Sequence, residues 1–198
     1  MRADRRALAA RYYASSRAHD EALADRLRRF RNLEPPSAEL LAVVARAAGA
    51  RRILELGTSN GYSTLWLGDA AEANGGTLLS VDVDSDRIDL ARSVLAEAGL
   101  SEVVELRVED AAKTLAGSAD GQWDLVFLDA ERPHYVSYLD DLVRSLKPGG
   151  ALVVDNVLSH ADELRDFTQA IEAIAQLTQT VVPVGAGLRV AVKSRGRE

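Results

Sequence analysis

Apolar positions along this chain follow two rhythms, and the change falls near residue 50. Before it, Leu8, Tyr12, Leu23, Leu27 and Phe30 form an apolar stripe compatible with one helix from Arg5 to Arg31. Asn32-Leu33-Glu34-Pro35-Pro36 breaks that helix, because neither proline donates an N–H. Ser37 is then expected to cap a second helix through about Ala48, with Gly49 ending it.

From Arg51 onward, short apolar runs alternate with helical patterns. The expected strands cover residues 52–56, 77–82, 103–108, 125–129, 151–155, 180–184 and 188–192. The expected helices cover 63–73, 85–98, 111–115, 133–145 and 161–177. Runs such as Leu125-Val126-Phe127-Leu128 and Ala151-Leu152-Val153-Val154 are apolar without interruption, which suits a parallel sheet buried on both faces. The expected fold is therefore α/β: a doubly wound, Rossmann-like sheet of seven strands. It is mostly parallel, with N-terminal helices and a C-terminal antiparallel hairpin across Gly185-Ala186-Gly187. One domain is expected over 1–198, with residues 1–48 as a helical cap and 49–198 as the α/β core. Lys147-Pro148-Gly149-Gly150 reads as a turn before the fifth strand.

Composition narrows the classes. The chain has 198 residues, 47% hydrophobic and 27% charged, as in ordinary globular proteins. With no cysteine, disulfides, thiolate metal sites and a cysteine nucleophile are excluded. No apolar run is long enough for a membrane span and no secretory leader is evident, so a cytoplasmic protein with no membrane partner is expected. A net charge of −6 argues against a nucleic-acid partner. Residues 1–31 nevertheless hold nine arginines against four acids. They read either as the solvated face of a helix or as a basic rim for anionic substrates.

The candidate chemistry sits at strand ends. Ile53-Leu54-Glu55-Leu56 runs into Gly57-Thr58-Ser59-Asn60-Gly61 and then a helix. Glycines there would let a backbone approach a nucleotide-like ligand. A dinucleotide loop needs a glycine where Ser59 stands, and Glu55 would repel a phosphate. S-adenosylmethionine, which carries an amino group and no phosphate, suits the loop better, and an NAD-dependent oxidoreductase is disfavoured. Asp82, a little over 20 residues past Gly57, is placed to take ribose hydroxyls, the alternative being a cap or turn acid at Val83-Asp84-Ser85, for which Asp84 is the better candidate. Ser63 and Thr64 either cap the helix or hold a ligand carboxylate at its positive end. Asp110 and Ala111 either read an adenine edge or serve a turn or cap. Asp129, Asp155 and Asn156 supply two carboxylates and an amide from neighbouring strand ends, the donor set for Mg²⁺, the alternative being a plain Asp-Asn turn. Arg132 faces a carboxylate or an anionic substrate, while His134 and His160 are the bases available near neutrality. Ser159-His160-Ala161-Asp162 also reads as a helix start.

Five motifs in order carry a resemblance. They are Leu54-Glu-Leu-Gly-Thr-Ser-Asn-Gly-Tyr-Ser63, Ser80-Val-Asp-Val-Asp84, Trp123-Asp-Leu-Val-Phe-Leu-Asp-Ala130, Leu146-Lys-Pro-Gly-Gly150 and Val154-Asp-Asn-Val157. Over about residues 32–192 the chain resembles class I S-adenosylmethionine-dependent methyltransferases. More narrowly, it is similar to the cation-dependent O-methyltransferases of catechol and caffeoyl-CoA type. The resemblance implies that Gly57, Thr58 and Gly61 line the methionine part of the cofactor, with Ser63 on its carboxylate and Glu55 supporting the pocket. Asp82 and Val83 would flank the ribose, and Asp110 and Ala111 the adenine. Asp129, Asp155 and Asn156 would ligate Mg²⁺, with Asp129 also close to the amino group. Asn32 and Leu33 would fold over the cofactor, and the loop at 185–188 would border a small aromatic acceptor. A homodimer is implied as well. Arg132 departs from the pattern, standing where the family carries a lysine base. Arginine stays protonated, so Arg132, His134 and His160 share candidacy for activating the acceptor. A cofactor-binding protein with little transferase activity, acting through a regulatory surface, is the alternative reading.

Overall fold

The computed structural model describes residues 1–25 and 28–196. Helices α1 (Ala3–Ala22) and α2 (Pro35–Ala47) precede an alternation of strand and helix. That alternation runs β1 (Arg52–Leu56), α3 (Tyr62–Ala73), β2 (Thr77–Asp82), α4 (Ser85–Glu97), β3 (Val104–Val108), α5 (Ala111–Gly117) and β4 (Trp123–Leu128). A 3-10 turn (Arg132–His134) leads into α6 (Tyr135–Ser145), β5 (Leu146–Val154), α7 (Arg165–Glu172), β6 (Leu177–Val182) and β7 (Leu188–Lys193).

The seven strands form one sheet in the order β3-β2-β1-β4-β5-β7-β6. Strands β1 to β5 pair in parallel, and β7 is antiparallel to both β5 and β6. Strand order reverses between β1 and β4, so loops from two directions diverge there and leave a crevice beyond their carboxyl ends. Alternate residues feed opposite cores. Ile53, Leu78, Leu125 and Val153 pack with α2 and α3, joined by Leu8 and Ala9 of α1. Leu54, Val81, Val126 and Leu152 pack with α6 and α7. Burial on both faces accounts for the unbroken apolar runs.

Several expected boundaries move. α1 stops at Ala22, because the Asp20 carboxylate takes the N–H groups of Phe30 and Arg31 at 2.8 and 2.9 Å and folds the chain back. Leu23 and Phe30 therefore lie outside the helix, and Leu27 lies outside the described residues. Pro35 and Pro36 begin α2 instead of merely breaking the chain, since a first helical turn needs neither of their missing N–H groups. Glu34 is the cap residue, and Ser37 instead donates its hydroxyl to the Val184 carbonyl at 3.2 Å. Lys147–Gly150 lies within β5, where the register shifts between Trp123↔Leu146 and Leu125↔Ala151. Residues 161–164 form turns, so Ser159 does not cap a helix, and Leu177 opens β6 where helix was expected.

Candidate functional site

The glycine loop is built by contacts within the protein. Gly57 has φ +102, and a Cβ there would overlap the Asp129 carbonyl. Gly61 has φ +88, caps α3, and would place a Cβ 2.8 Å from Ala91. Both glycines are thus required by the backbone conformation and by neighbouring elements, a different reason from the close ligand approach expected of them. The N–H groups of Gly57 and Thr58 are donated to the Val81 carbonyl at 2.9 and 3.2 Å. Neither Ser63 nor Thr64 caps α3, whose N-terminus carries no side-chain cap. Ser63 is buried in the first turn, while the Thr64 hydroxyl donates to Glu55.

Glu55 is fully buried beneath this loop. Its Oε2 accepts from Thr64 at 2.5 Å and from Ser80 at 2.6 Å, and Ser80 in turn receives the Thr58 hydroxyl at 2.6 Å. Oε1 has no partner. Burial lifts the carboxyl to a pKa of about 7 against the pull of its hydroxyl donors. Glu55 is therefore a buried acid close to half-protonated at neutrality, not the fixed negative charge expected from the sequence.

Along the same edge, Asp82 orders the loop. It accepts the Ser59 N–H at 2.8 Å through Oδ2 and the Asp84 N–H at 3.0 Å through Oδ1, with Val83 exposed beside it. Each carboxylate oxygen keeps a second lone pair for a ligand hydroxyl. Asp110 caps α5, accepting from Ala112 and Lys113 at 2.9 and 3.2 Å. Ala111 is buried at the start of that helix.

At the ends of β4 and β5, Asp129, Asp155 and Asn156 converge. Asn156, held at φ +66, donates its amide to Asp129 Oδ1 at 3.1 Å and to Asp155 Oδ2 at 3.0 Å. Asp155 is buried and its Oδ1 has no partner. Burial raises the Asp155 carboxyl well above the carboxylate range, and the neighbouring Asp129 adds to the rise. Burial raises Asp129 as well, opposed by the charges of Arg31 and Arg132. Among the described residues, no group of three or more His, Cys, Asp or Glu is placed to hold a metal. The donors here are two carboxylates and one amide. Turned by half a revolution, that amide would present Oδ1 in place of Nδ2. An unpartnered carboxylate oxygen, two repelling carboxylates and an all-oxygen donor set fit a hard divalent cation.

The three candidate activating residues part company. Arg132 donates Nε to Glu163 at 2.6 Å, close enough to the cluster for its charge to act on Asp129. His160 joins the cluster through Ser159, whose hydroxyl lies 2.8 Å from His160 Nδ1 and 3.4 Å from Asn156 Oδ1. The His160 N–H also donates to the Asn156 carbonyl at 3.0 Å. His134 is exposed at the start of α6, its ring 6.0 Å from that of Tyr138, and is not brought into this network.

Other residues enter only through tertiary contacts. Glu34 accepts the Ala186 N–H at 3.2 Å and stands near enough to Asp129 and Asp155 for its charge to act on both. Tyr12 donates to the Asn60 carbonyl at 2.7 Å, and the Asn60 amide donates to Ser16 at 2.8 Å, so α1 grips the tip of the glycine loop. Asn32 is half-buried with an unpartnered Nδ2, and Leu33 lies in the core beside α2. Asn32 and Leu33 were expected near the cofactor from the resemblance, whereas nothing in the spacing of Glu34, Tyr12, Asn60 and Ser16 marks them, because each is defined by a partner far along the chain.

Comparison with known proteins agrees with this arrangement. The O-methyltransferase family model matches residues 24–193. A catechol O-methyltransferase of Mycobacterium tuberculosis is 34% identical over 161 residues, covering 81% of this chain and 73% of that protein. The O-methyltransferase TomG of Streptomyces achromogenes, solved in complex with SAM, is 29% identical with a TM-score of 0.78, covering 94% of this chain and 89% of that one. For the fold alone, the O-methyltransferase of Bacillus cereus solved with SAH superposes with a TM-score of 0.80 at 24% identity, over 95% of this chain and 91% of that one. The chain belongs to the S-adenosylmethionine-dependent O-methyltransferase family.

Proposed function

We propose that this protein transfers a methyl group from S-adenosylmethionine to a hydroxyl of a small aromatic, catechol-like acceptor, assisted by a divalent cation. The observation that carries the reading is the convergence of Asp129, Asp155 and Asn156 one loop away from Gly57 and Glu55, with the Asp155 Oδ1 buried and unpartnered.

Residue roles follow from position. The uncapped N-terminus of α3, with Ser63 in its first turn, suits the methionine carboxylate of the cofactor. Gly57, Thr58 and Gly61 shape the wall beside it, and Glu55 supports that wall from beneath. Asp82 keeps lone pairs for ribose hydroxyls, Val83 flanks them, and Asp110 with Ala111 borders the adenine. When bound, the cofactor supplies a sulfonium-activated methyl group: the new bond is O–CH₃, the bond lost is S–CH₃, and the acceptor hydroxyl gives up its proton. Asp129, Asp155 and Asn156 would hold Mg²⁺, which lowers the pKa of a hydroxyl it contacts.

The proton needs a protein acceptor, and Arg132 is unsuited because guanidinium stays protonated. His160 is the better base: with the Ser159 hydroxyl donating to Asn156 Oδ1, His160 Nδ1 is the donor of its Ser159 contact, which orients the ring and leaves Nε2 to take a proton. Arg132 acts through charge alone, favouring an oxyanion nearby while Glu163 holds it in place. The test is the initial rate of methyl transfer from labelled S-adenosylmethionine to catechols, with Mg²⁺ and again with EDTA. Turnover that requires Mg²⁺ supports the reading. Equal rates under both conditions remove the cation from it, and no transfer to any catechol removes the acceptor class.

A further inference from the structure

The strap between α1 and α2 contains a residue in a costly conformation. Arg31 has φ +53, a left-handed backbone that side chains other than glycine rarely adopt. Five contacts hold the strap there. The Asp20 carboxylate takes the N–H groups of Phe30 and Arg31, and the Phe30 ring stacks on His19 at 4.4 Å. The Ser59 hydroxyl donates to the Phe30 carbonyl at 3.1 Å, and Arg87 donates to the Arg29 carbonyl at 3.2 Å. The strap is thus tied to α1, to the glycine loop and to α4 at once, a preorganised mount for the side chain of Arg31.

That side chain borders a cavity of about 280 Å³ whose lining includes Tyr13, Arg17, Arg29, Asn32 and Glu34. The charges around it are mostly spent. Arg17 pairs with Glu21 at 2.7 Å, Arg29 donates to the Leu23 carbonyl, and Asp20 is committed to backbone N–H groups. Glu34 holds the Ala186 N–H. Among the described residues, no carboxylate lies within ion-pair distance of the Arg31 guanidinium, and Asn32 offers the cavity a buried, unpartnered Nδ2. The cavity adjoins the loop expected to border the acceptor, because Glu34, which lines it, accepts the Ala186 N–H at 3.2 Å.

We propose that Arg31, with Asn32 beside it, is a specificity-determining residue that receives a carboxylate carried by the acceptor, so that the preferred acceptors are aromatic vicinal diols bearing an acid group, as in dihydroxybenzoates and dihydroxycinnamates. This rests on the catechol reading of the site. A guanidinium matches a carboxylate with two parallel N–H donors, a pairing that neutral or cationic acceptors cannot make. Arg132 is less available for the role, since Glu163 already occupies its Nε. With the charge of a divalent cation offset by Asp129 and Asp155, a carboxylate on the acceptor would still lack a counter-charge, which Arg31 supplies.

The test compares 3,4-dihydroxybenzoate with 3,4-dihydroxybenzamide, which differ in charge but hardly in shape, on the full chain with S-adenosylmethionine and Mg²⁺. The wild-type protein should favour the acid in kcat/KM by about tenfold or more, mainly through KM. In Arg31→Gln that ratio should fall to within about twofold of unity, and Arg31→Lys should restore part of it. Arg11→Gln, which removes an exposed arginine paired with Glu97, controls for net charge and should keep the wild-type ratio. A wild-type ratio near one, or a ratio unchanged in Arg31→Gln, overturns the proposal. If neither these compounds nor catechol itself is methylated, the catechol reading fails, and calorimetric titration with 3,4-dihydroxybenzoate decides the anion site separately. Binding by the wild type that is lost in Arg31→Gln upholds it, and equal or absent binding sinks it.

Discussion

Gly57 lies against the main-chain carbonyl of Asp129 so closely that no Cβ fits between them. The loop that would carry the cofactor and the strand end that carries the acidic cluster are therefore in direct backbone contact. The two halves of a transfer reaction can be held in register by that contact, and proximity of this kind is a main source of rate in group transfer. In Gly57→Ala the added methyl meets backbone that cannot rotate away, at a φ of +102. A stability loss of about 2 kcal/mol or more is expected, with weaker binding of S-adenosylhomocysteine. Urea denaturation and calorimetric titration read the two effects, and wild-type values for both would refute the steric argument.

Asp155→Asn separates activity from stability. The buried Asp155 and Asp129 carboxylates oppose each other's ionisation in the metal-free protein. A neutral amide relieves that opposition, so the variant should be more stable at pH 7 by on the order of 1 kcal/mol and should melt at a higher temperature. It should also lose nearly all Mg²⁺-dependent transfer while binding S-adenosylhomocysteine almost as the wild type does. A lower melting temperature would show that Asp155 is a structural hydrogen-bond acceptor first.

Glu55 gives stability a pH dependence of definite sign. Its carboxyl titrates near pH 7 in the folded ligand-free protein, against about 4.3 in an unfolded chain. The folded state thus keeps a proton that the unfolded state releases. Its contribution is fully present below about pH 4.3 and is lost as pH rises through about 7. The span corresponds to roughly 4 kcal/mol. Glu55→Gln should remove this component, so the stability difference between wild type and variant should shift against the wild type from pH 5 to pH 8. Asp129 and Asp155 remain in both proteins, and the Asp129 charge, which adds to the rise at Glu55, alters the size of this component but not its sign. A difference that stays flat with pH would place the Glu55 titration elsewhere.

His160 and His134 should behave differently although both lie near the acidic cluster in sequence. His160→Gln is expected to lower kcat by about a hundredfold with little change in KM. His134→Gln, altering a side chain outside the Asn156–Ser159–His160 chain, should stay within about twofold. Reversal of these two results would assign the proton to the α6 side of the site.

The docking of α1 rests on a buried ion network. Arg5 and Asp69 are 2% and 3% exposed, and Arg5 also donates to Glu72 and to the Ala98 carbonyl. Asp69→Ala leaves that guanidinium short of a partner in the interior and should cost about 3–5 kcal/mol. Because α1 also grips Asn60 through Tyr12, cofactor affinity should fall as well. Full stability in the variant would show that Glu72 alone suffices for Arg5.

Local patterning determined most of the sheet. β1 and β2 have the boundaries read from their apolar runs, and the closing hairpin follows from three residues too short to cross the sheet. Such features depend on neighbours within one strand or turn, and periodicity records those neighbours. The same holds for Asp84 and Asp110, whose cap geometry is local. Asp129, Asp155 and Asn156 were legible as a group because parallel β4 and β5 bring their ends to one edge.

Tertiary structure decided the rest. The end of α1 at Ala22 depends on Asp20 capturing N–H groups ten and eleven residues away, which no helical pattern encodes. The left-handed Arg31 and the reach of Glu34 to Ala186 each require the fold to be complete before the partner is present. The charge of Glu55 is likewise a property of its burial and not of its residue type. By itself, then, the sequence determined the elements and the edge on which chemistry gathers, because those follow from short-range sterics and apolar periodicity. Which side chains meet there, and in which protonation state, was decided only by the packed structure, because hydrogen bonding and desolvation act between residues that the chain keeps far apart.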